Sequence, residues 1–231
     1  MKIGVISDIH GNHYALREVL AEAKKIGVDR ILALGDFVGY YYHPEIVFDL
    51  LSEWTLDLIK GNHEVILQNL YENKIDSEKL KNKYGSGHEH ALNNLDKGTL
   101  DWLFSLPTQQ SVSIDNVTFQ LNHGTPWSID EYLYPDANKL VLDKCDSLTN
   151  DFVLIGHSHY SFFFKCDNSI IINSGSVGQS RERGGMAYWS LINTSNKTFQ
   201  VRITPYDTTD LLKDVKLFDP SVTYSSEILS R

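Results

Sequence analysis

Leu154-Ile155-Gly156-His157-Ser158-His159-Tyr160 is an apolar run that ends in Gly-His-x-His. The spacing lets both histidines turn toward one ion, and Gly156 lets the backbone come close to it. Taken alone, such a pair is as readily an ordinary surface or core pair. Working outward, four more polar clusters each directly follow an apolar run of strand type. These are Asp8-Ile9-His10 after Ile3–Ile6, Gly35-Asp36 after Ile31–Leu34, Gly61-Asn62-His63-Glu64 after Leu56–Ile59, and His123-Gly124 after Val117–Leu121. Five strand ends thus carry residue types that bind metals, a series that chance makes poorly.

The N-terminal part alternates strand and helix. Lys2–Ser7 predicts a strand, and Tyr14–Ile26 places Leu16, Val19, Leu20, Ala23 and Ile26 at helical spacing, with Asn12 as N-cap. A strand at Arg30–Leu34, a helix from Pro44 to Leu51 and a strand at Leu56–Ile59 complete βαβαβ. Such a pattern gives a mostly parallel sheet with its site at the carboxyl ends of the strands.

Beyond His63 the chain turns polar and helical. Roughly 64–107 reads as an inserted helical cap of two or three helices on a single domain spanning 1–231, since it has too little apolar content to fold alone. Ala91, Leu95, Leu100, Leu103 and Leu106 form its apolar face, while His88 and His90 are expected on a solvated face. From Ser111 the chain is strand-rich: Ser111–Ile114 and Val117–Asn122 around the turn Asp115-Asn116, then Phe152–Ile155, Ser161–Lys165, Ser169–Asn173, Met186–Asn193 and Thr198–Pro205. All of these are expected in a second sheet facing the first. Asp136–Lys144 and Thr208–Val215 supply outer helices, and the tail from Phe218, lacking periodicity, is expected to be loosely held.

Composition sets outer limits. The chain has 231 residues, 42% of them hydrophobic, enough to bury a substantial core. The opening Met1–Asp8 reaches a charge too soon for a signal peptide and no membrane anchor is visible, so a cytoplasmic location is expected. Cys145 and Cys166 form no Cys-x-x-Cys pair and read as free thiols. A formal charge of −9 argues against a stable nucleic-acid partner but leaves a phosphate-bearing substrate open, because bound metal offsets ligand carboxylates. Nothing in the sequence sets the oligomeric state.

The candidate ligands are Asp8, His10, Asp36, Asn62, His123, His157 and His159. Such a set of carboxylate, amide and imidazole donors fits manganese, iron or zinc better than calcium, with magnesium a poorer match. Seven donors exceed one tetrahedral site and suit two divalent ions sharing a carboxylate and a water. His63, beside Asn62, is left for acid–base work. Blander readings exist: Asp8 and Asp36 as acids at helix N-termini, Asn62 as a turn residue.

Taken together, the five clusters resemble the motif set of the calcineurin-like metallophosphoesterases, in the family's order and with every ligand type present. The resemblance implies a four-layer α/β/β/α sandwich of two mixed sheets around a dinuclear centre. It implies that Asp8, His10, Asp36 and His159 hold one ion and Asp36, Asn62, His123 and His157 the other. By the same resemblance Asp36 bridges, His63 is the acid that protonates the leaving group, and the reaction is hydrolysis of a phosphate ester by a metal-bridging hydroxide.

Finer features narrow the branch. Protein phosphatases of the superfamily carry Gly-Asp-x-Val-Asp-Arg-Gly, whereas this chain reads Gly35-Asp36-Phe37-Val38-Gly39-Tyr40-Tyr41 and lacks the Asp-Arg pair. Asp8–Asn12, His123–Pro126 with Tyr132–Pro135, and Asn173–Arg181 resemble the small prokaryotic phosphodiesterase-like branch, although Ser174 replaces a usual proline and Trp127 a usual arginine. The expected substrate is a small phosphodiester or nucleotide-type phosphoanhydride. Asn12, Trp127 and Arg181 are candidate contacts to it. Trp127, Tyr132 and Tyr134 otherwise form a core cluster, and Arg181 and Arg183 are otherwise solvated loop charges. The alternatives are a phosphomonoesterase or protein phosphatase of the same superfamily, or a non-catalytic metal-binding scaffold; a scaffold tends to lose ligands, and here none is lost.

Overall fold

Two five-stranded sheets, each mixed in strand direction, pack face to face with helices on their outer sides. The computed structural model describes residues 1–231. The first half runs β1 (Lys2–Ile6), α1 (His13–Ile26), β2 (Arg30–Ala33), α2 (Pro44–Ser52) and β3 (Leu56–Leu58), followed by α3 (Asn62–Tyr71), α4 (Ser77–Tyr84), α5 (Gly87–Asn94) and α6 (Lys97–Ser105). The second half runs β4 (Gln109–Ile114), β5 (Val117–Asn122), α7 (Lys139–Asp146), β6 (Phe152–Ile155), β7 (Ser161–Lys165) and β8 (Ile170–Ser174). It ends with β9 (Met186–Asn193), β10 (Thr198–Pro205), α8 (Thr209–Phe218), α9 (Thr223–Glu227) and a final 3-10 turn, Ile228–Ser230.

The first sheet has the order β10-β9-β1-β2-β3 and the second β4-β5-β6-β8-β7. β1, β2 and β3 are parallel, as are β5, β6 and β8, and each set has antiparallel strands at its edge or edges. The inner strands are covered on both faces, which is why they read as unbroken apolar runs. Ile3, Val5, Leu32 and Leu34 meet Phe119, Leu121, Phe152 and Leu154 between the sheets. On the other face, Ile6, Ile31 and Ala33 pack on Leu16, Val19 and Ala23 of α1, while Val153 and Ile155 pack on the α7 side.

α1 starts where its sequence said it would. Asn12 Oδ1 accepts the Ala15 N–H at 3.1 Å, and Gly27 ends the helix in the left-handed conformation at φ 77°. The Asp115-Asn116 turn has positive φ at both residues, as a two-residue hairpin requires.

Three expectations need correction. β9 and β10 do not join the second sheet: β9 pairs antiparallel with β1, Lys2 opposite Asn193 and Val5 opposite Ser190, closing the open edge of the first. The tail is not loose, because α9 and the final turn bury Ile228 and Leu229 against Tyr40, Tyr41, Tyr42, Leu211 and Val215. The 64–107 stretch holds four helices, and its Leu67, Ala91, Leu95, Leu100 and Leu103 pack into the same core as α1 and the first sheet. Helix limits also move: α7 begins after Asn138, whose side chain caps it, and α8 runs on to Phe218.

Candidate metal centre

The polar ends of β1, β2, β5 and β6 converge with the start of α3, and every candidate ligand is at least nine-tenths buried there. The loops are held by close backbone approach. Gly35 sits at φ 91°, and a Cβ on it would lie 2.2 Å from the Gly61 nitrogen, so the Asp36 and Asn62 loops can touch only as glycines. Asp8, His10, Asp36, His157 and His159 all have positive φ, between 52° and 64°.

Each aspartate is tied by one oxygen and directed inward by the other. Asp8 Oδ2 accepts the His157 N–H at 3.0 Å, and Asp36 Oδ1 accepts the His63 N–H at 2.8 Å. Asp8 Oδ1 is buried without a hydrogen-bond partner, 3.2 Å from His159 Nε2. Asp36 Oδ2 lies 3.2 Å from His123 Nε2 and 3.7 Å from His10 Nε2, between the two groups of histidines.

The imidazoles are oriented from behind. His10 Nδ1–H donates to Val38 O (3.0 Å), His123 Nδ1–H to Leu34 O (2.8 Å) and His159 Nδ1–H to Gln179 O (2.7 Å). Each then directs its Nε2 to the centre. His157 is turned the other way, with Nε2 3.2 Å from Asp130 O, which leaves Nδ1 facing inward. The result sets acceptor against acceptor where His10 Nε2 and His159 Nε2 lie 3.1 Å apart, while His123 Nε2 lies 2.9 Å from Asn62 Oδ1. Facing lone pairs repel unless cations lie among them. The orphaned Asp8 oxygen fits the same cations, and three overlapping groups could hold metal: Asp8/His10/His159, His10/Asp36/His63 and Asp36/His123/His157. This is a buried His/Asp-rich site able to bind two metal ions.

Electrostatics agree. Burial alone would raise the Asp8 carboxyl, but His159 and His123 hold it well below the usual range. Asp36 is held low in the same way by His123, His63 and His10. Burial works against charge on His123 too, yet Asp36 and Asp8 push it up to about 10. The centre therefore attracts positive charge, which a proton supplies only in part. His10, by contrast, is lowered to about 4, chiefly by burial, and burial also holds His63 and His157 down.

Two residues take supporting roles that the sequence does not assign them. Glu64 is fully buried and accepts four backbone N–H groups, those of Asp36 (2.8 Å), Phe37 (2.8 Å), Val38 (3.1 Å) and Gly61 (2.7 Å). Burial and the Asp36 charge push its carboxyl up to about 7, against the pull of these donors. Ionised, it satisfies all four. His88 is the second, and the expected solvated position is wrong for it: it is 1% exposed, with Nε2 3.2 Å from His63 Nδ1 and the two rings nearly parallel at 11°. His90 is half-buried against Tyr42 and Phe218 rather than solvated. No local signal in α5 marks His88, because its partner lies 25 residues away.

Around the mouth, Tyr132 lies on His157 at 3.9 Å between ring centroids, Tyr134 stacks on Tyr132, and Tyr84 packs on His63. Tyr132 and Tyr134 are exposed and form no core cluster. Trp127 Nε1 donates to Glu131 (2.6 Å) under the Lys144 ammonium, which lies 3.5 Å from the ring centroid. Asn12 is engaged in the fold, capping α1 and donating to Gly178 O at 2.8 Å. Arg181 borders the centre: its backbone N–H donates to His159 O, and Nη1 lies 3.4 Å from Ser158 O.

Residues 1–196 match the calcineurin-like phosphoesterase superfamily domain. Uncharacterized protein MJ0912 of Methanocaldococcus jannaschii is 30% identical over 225 residues, covering 89% of this chain and 88% of that protein. Hypothetical protein PH1004 of Pyrococcus horikoshii superposes with a TM-score of 0.86 at 18% identity, over 100% of this chain and 98% of the other. A metallophosphoesterase of Sphaerobacter thermophilus superposes with a TM-score of 0.79 at 22% identity, over the same shares.

Proposed function

The chain belongs to the calcineurin-like phosphoesterase superfamily, and from that premise we propose that it is a dinuclear metal-dependent hydrolase of phosphodiesters or nucleotide-type phosphoanhydrides, of the small prokaryotic phosphodiesterase-like branch. One observation carries the reading: histidine nitrogens set lone pair to lone pair, His10 Nε2 3.1 Å from His159 Nε2, beside an unpartnered Asp8 oxygen. Asp8, His10, Asp36 and His159 would hold one ion, and Asp36, Asn62, His123 and His157 the other. Manganese, iron or zinc suits these donors.

When bound, two such ions supply Lewis-acid charge for phosphoryl oxygens and activate a water for attack. The chain's own residues do the rest. Asp36, between the two histidine groups, would be shared by both ions. Glu64 fixes the loop that carries Asp36. His63, one residue beyond Asn62, delivers a proton to the departing oxygen, worth typically ~10²–10⁴-fold. Tyr132, backed by His157, offers a face for a base or aryl group. We assign the stretch at about 64–107 to a cap that brings Tyr84 and His88 over this centre, and the protein as a whole to the cytoplasm.

The missing Asp-Arg pair after Asp36 favours diesters and anhydrides over phosphoproteins. Elemental analysis and a hydrolysis panel test the proposal, with nucleotides, cyclic nucleotides, dinucleoside polyphosphates and bis(4-nitrophenyl) phosphate, and with manganese, iron, zinc or magnesium added in turn. Two ions per chain and turnover of a diester or anhydride are expected. One ion or none under saturating manganese, or no turnover with any metal, overturns it.

A further inference from the structure

Arg181 is a cation without an anion. Its Nε is buried with no hydrogen-bond partner, and its Nη1 reaches only the Ser158 carbonyl at 3.4 Å. The neighbouring Glu182 turns away, accepting the Ser161 N–H at 2.6 Å. The groups that face the guanidinium are the neutral phenols Tyr224, Tyr132 and Tyr40, with its carbon 5.8 Å from the Tyr132 ring centroid. The guanidinium is half-buried, and the phenols about it offer hydrogen-bonding oxygens but no opposite charge. Yet the position is constructed: α9 supplies Tyr224, Gly184 N–H donates to Arg231 O, and Arg231 Nη1 lies 3.4 Å from Arg181 O.

Location indicates which anion the guanidinium suits. Ser158 stands between His157 and His159, so the guanidinium lies at the edge of the metal centre and beside the Tyr132 stack. A substrate phosphate at this centre would face two divalent cations when the metals are bound, and a monoanionic diester would have no charge left for a third. An organic diphosphate does have it, because its second phosphate projects from the first.

We propose that Arg181 is the receptor for the second phosphate of an organic diphosphate, with the reacting phosphate at the metals and the substrate's planar group on Tyr132. This deepens the hydrolase reading and rests on it. Water adds to the metal-side phosphorus, the bond from that phosphorus to the bridging oxygen breaks, and that oxygen keeps the electron pair. It leaves on the phosphate held by Arg181 and takes a proton from His63; the proton that water loses passes to solvent, and His63 regains one from there. Nothing is oxidised or reduced.

The test uses binding rather than turnover. Methylenediphosphonate and methylphosphonate are titrated calorimetrically into the manganese-loaded full chain, as wild type, Arg181→Gln and Arg181→Lys. Wild type is expected to prefer the diphosphonate by at least tenfold, Arg181→Gln to lose at least tenfold of that preference, and Arg181→Lys to recover part of it. A wild type with no preference, or a preference unchanged within twofold in Arg181→Gln, overturns the proposal. If Arg181→Gln does not fold, the wild-type preference and Arg181→Lys decide between the same outcomes. Turnover of esters without diphosphonate preference removes the subsite alone; preference without turnover of any ester removes the hydrolase reading and leaves the subsite standing.

Discussion

Replacing Glu64 by glutamine exchanges one carboxylate oxygen for an amide NH2, and every neighbour of both oxygens is a donor. Oε1 accepts from Phe37 and Val38, and Oε2 accepts from Asp36 and Gly61. Whichever way the amide is turned, one pair of buried N–H groups then faces another donor. At ~1–3 kcal/mol for each unsatisfied buried donor, the cost is roughly 2–6 kcal/mol. For a chain of this size that lowers Tm by roughly 4–24 °C. The damage falls on the Asp36 loop, so manganese affinity should drop by about 10–100-fold, the usual range for residues that orient ligands. Thermal unfolding with and without manganese, together with a metal titration, reads both effects. A Tm within about 2 °C of wild type and an unchanged manganese affinity would refute the view that Glu64 holds this loop by its charge.

Asp36→Asn should weaken both metal sites together, whereas His10→Ala should spare the Asn62, His123 and His157 group; elemental analysis after manganese loading tells them apart, and selective loss of one ion in Asp36→Asn counts against a bridge. His63→Asn should retain metal while turnover falls by ~10²–10⁴-fold, most for poor leaving groups. Equal losses on an alkyl and a nitrophenyl ester would remove the proton-delivery role. Tyr132→Ala should lower kcat/KM for a nucleoside or aryl diester by about tenfold, ~1.4 kcal/mol, with a smaller loss for an alkyl diester. Trp127→Ala, whose ring lies between Glu131 and Lys144, should lose less on the aryl substrate, and the reverse order would return the stacking role to Trp127.

Elements bounded by local signals are legible in the sequence. Val117–Asn122, Phe152–Ile155, Ser161–Lys165, Met186–Asn193 and Thr198–Pro205 are strands at the expected limits, because turn residues and apolar patterning mark both ends. The residues that converge on the centre were legible because each follows a strand. Partnership across the chain was not. β9 carries no mark that its partner is β1, and α9 with the final turn contributes only Ile228 and Leu229 to a core cluster, too few for periodicity. Glu64 and His88 are defined by what they touch, and those partners come from the β2–α2 loop and from α3. Tertiary contact decided all four.

The left-handed backbone at Asp8, His10, Asp36, His157 and His159 restricts how such a centre can diversify. Aspartate, asparagine and histidine are the side chains most tolerant of that conformation after glycine, and they are also oxygen and imidazole donors. Backbone and coordination chemistry thus select from the same short alphabet. A glutamate or cysteine would bring a usable donor atom and a poorly suited backbone. Asn62 and His123 lie outside the left-handed set. At these two positions an exchange of donor meets no conformational barrier of this kind.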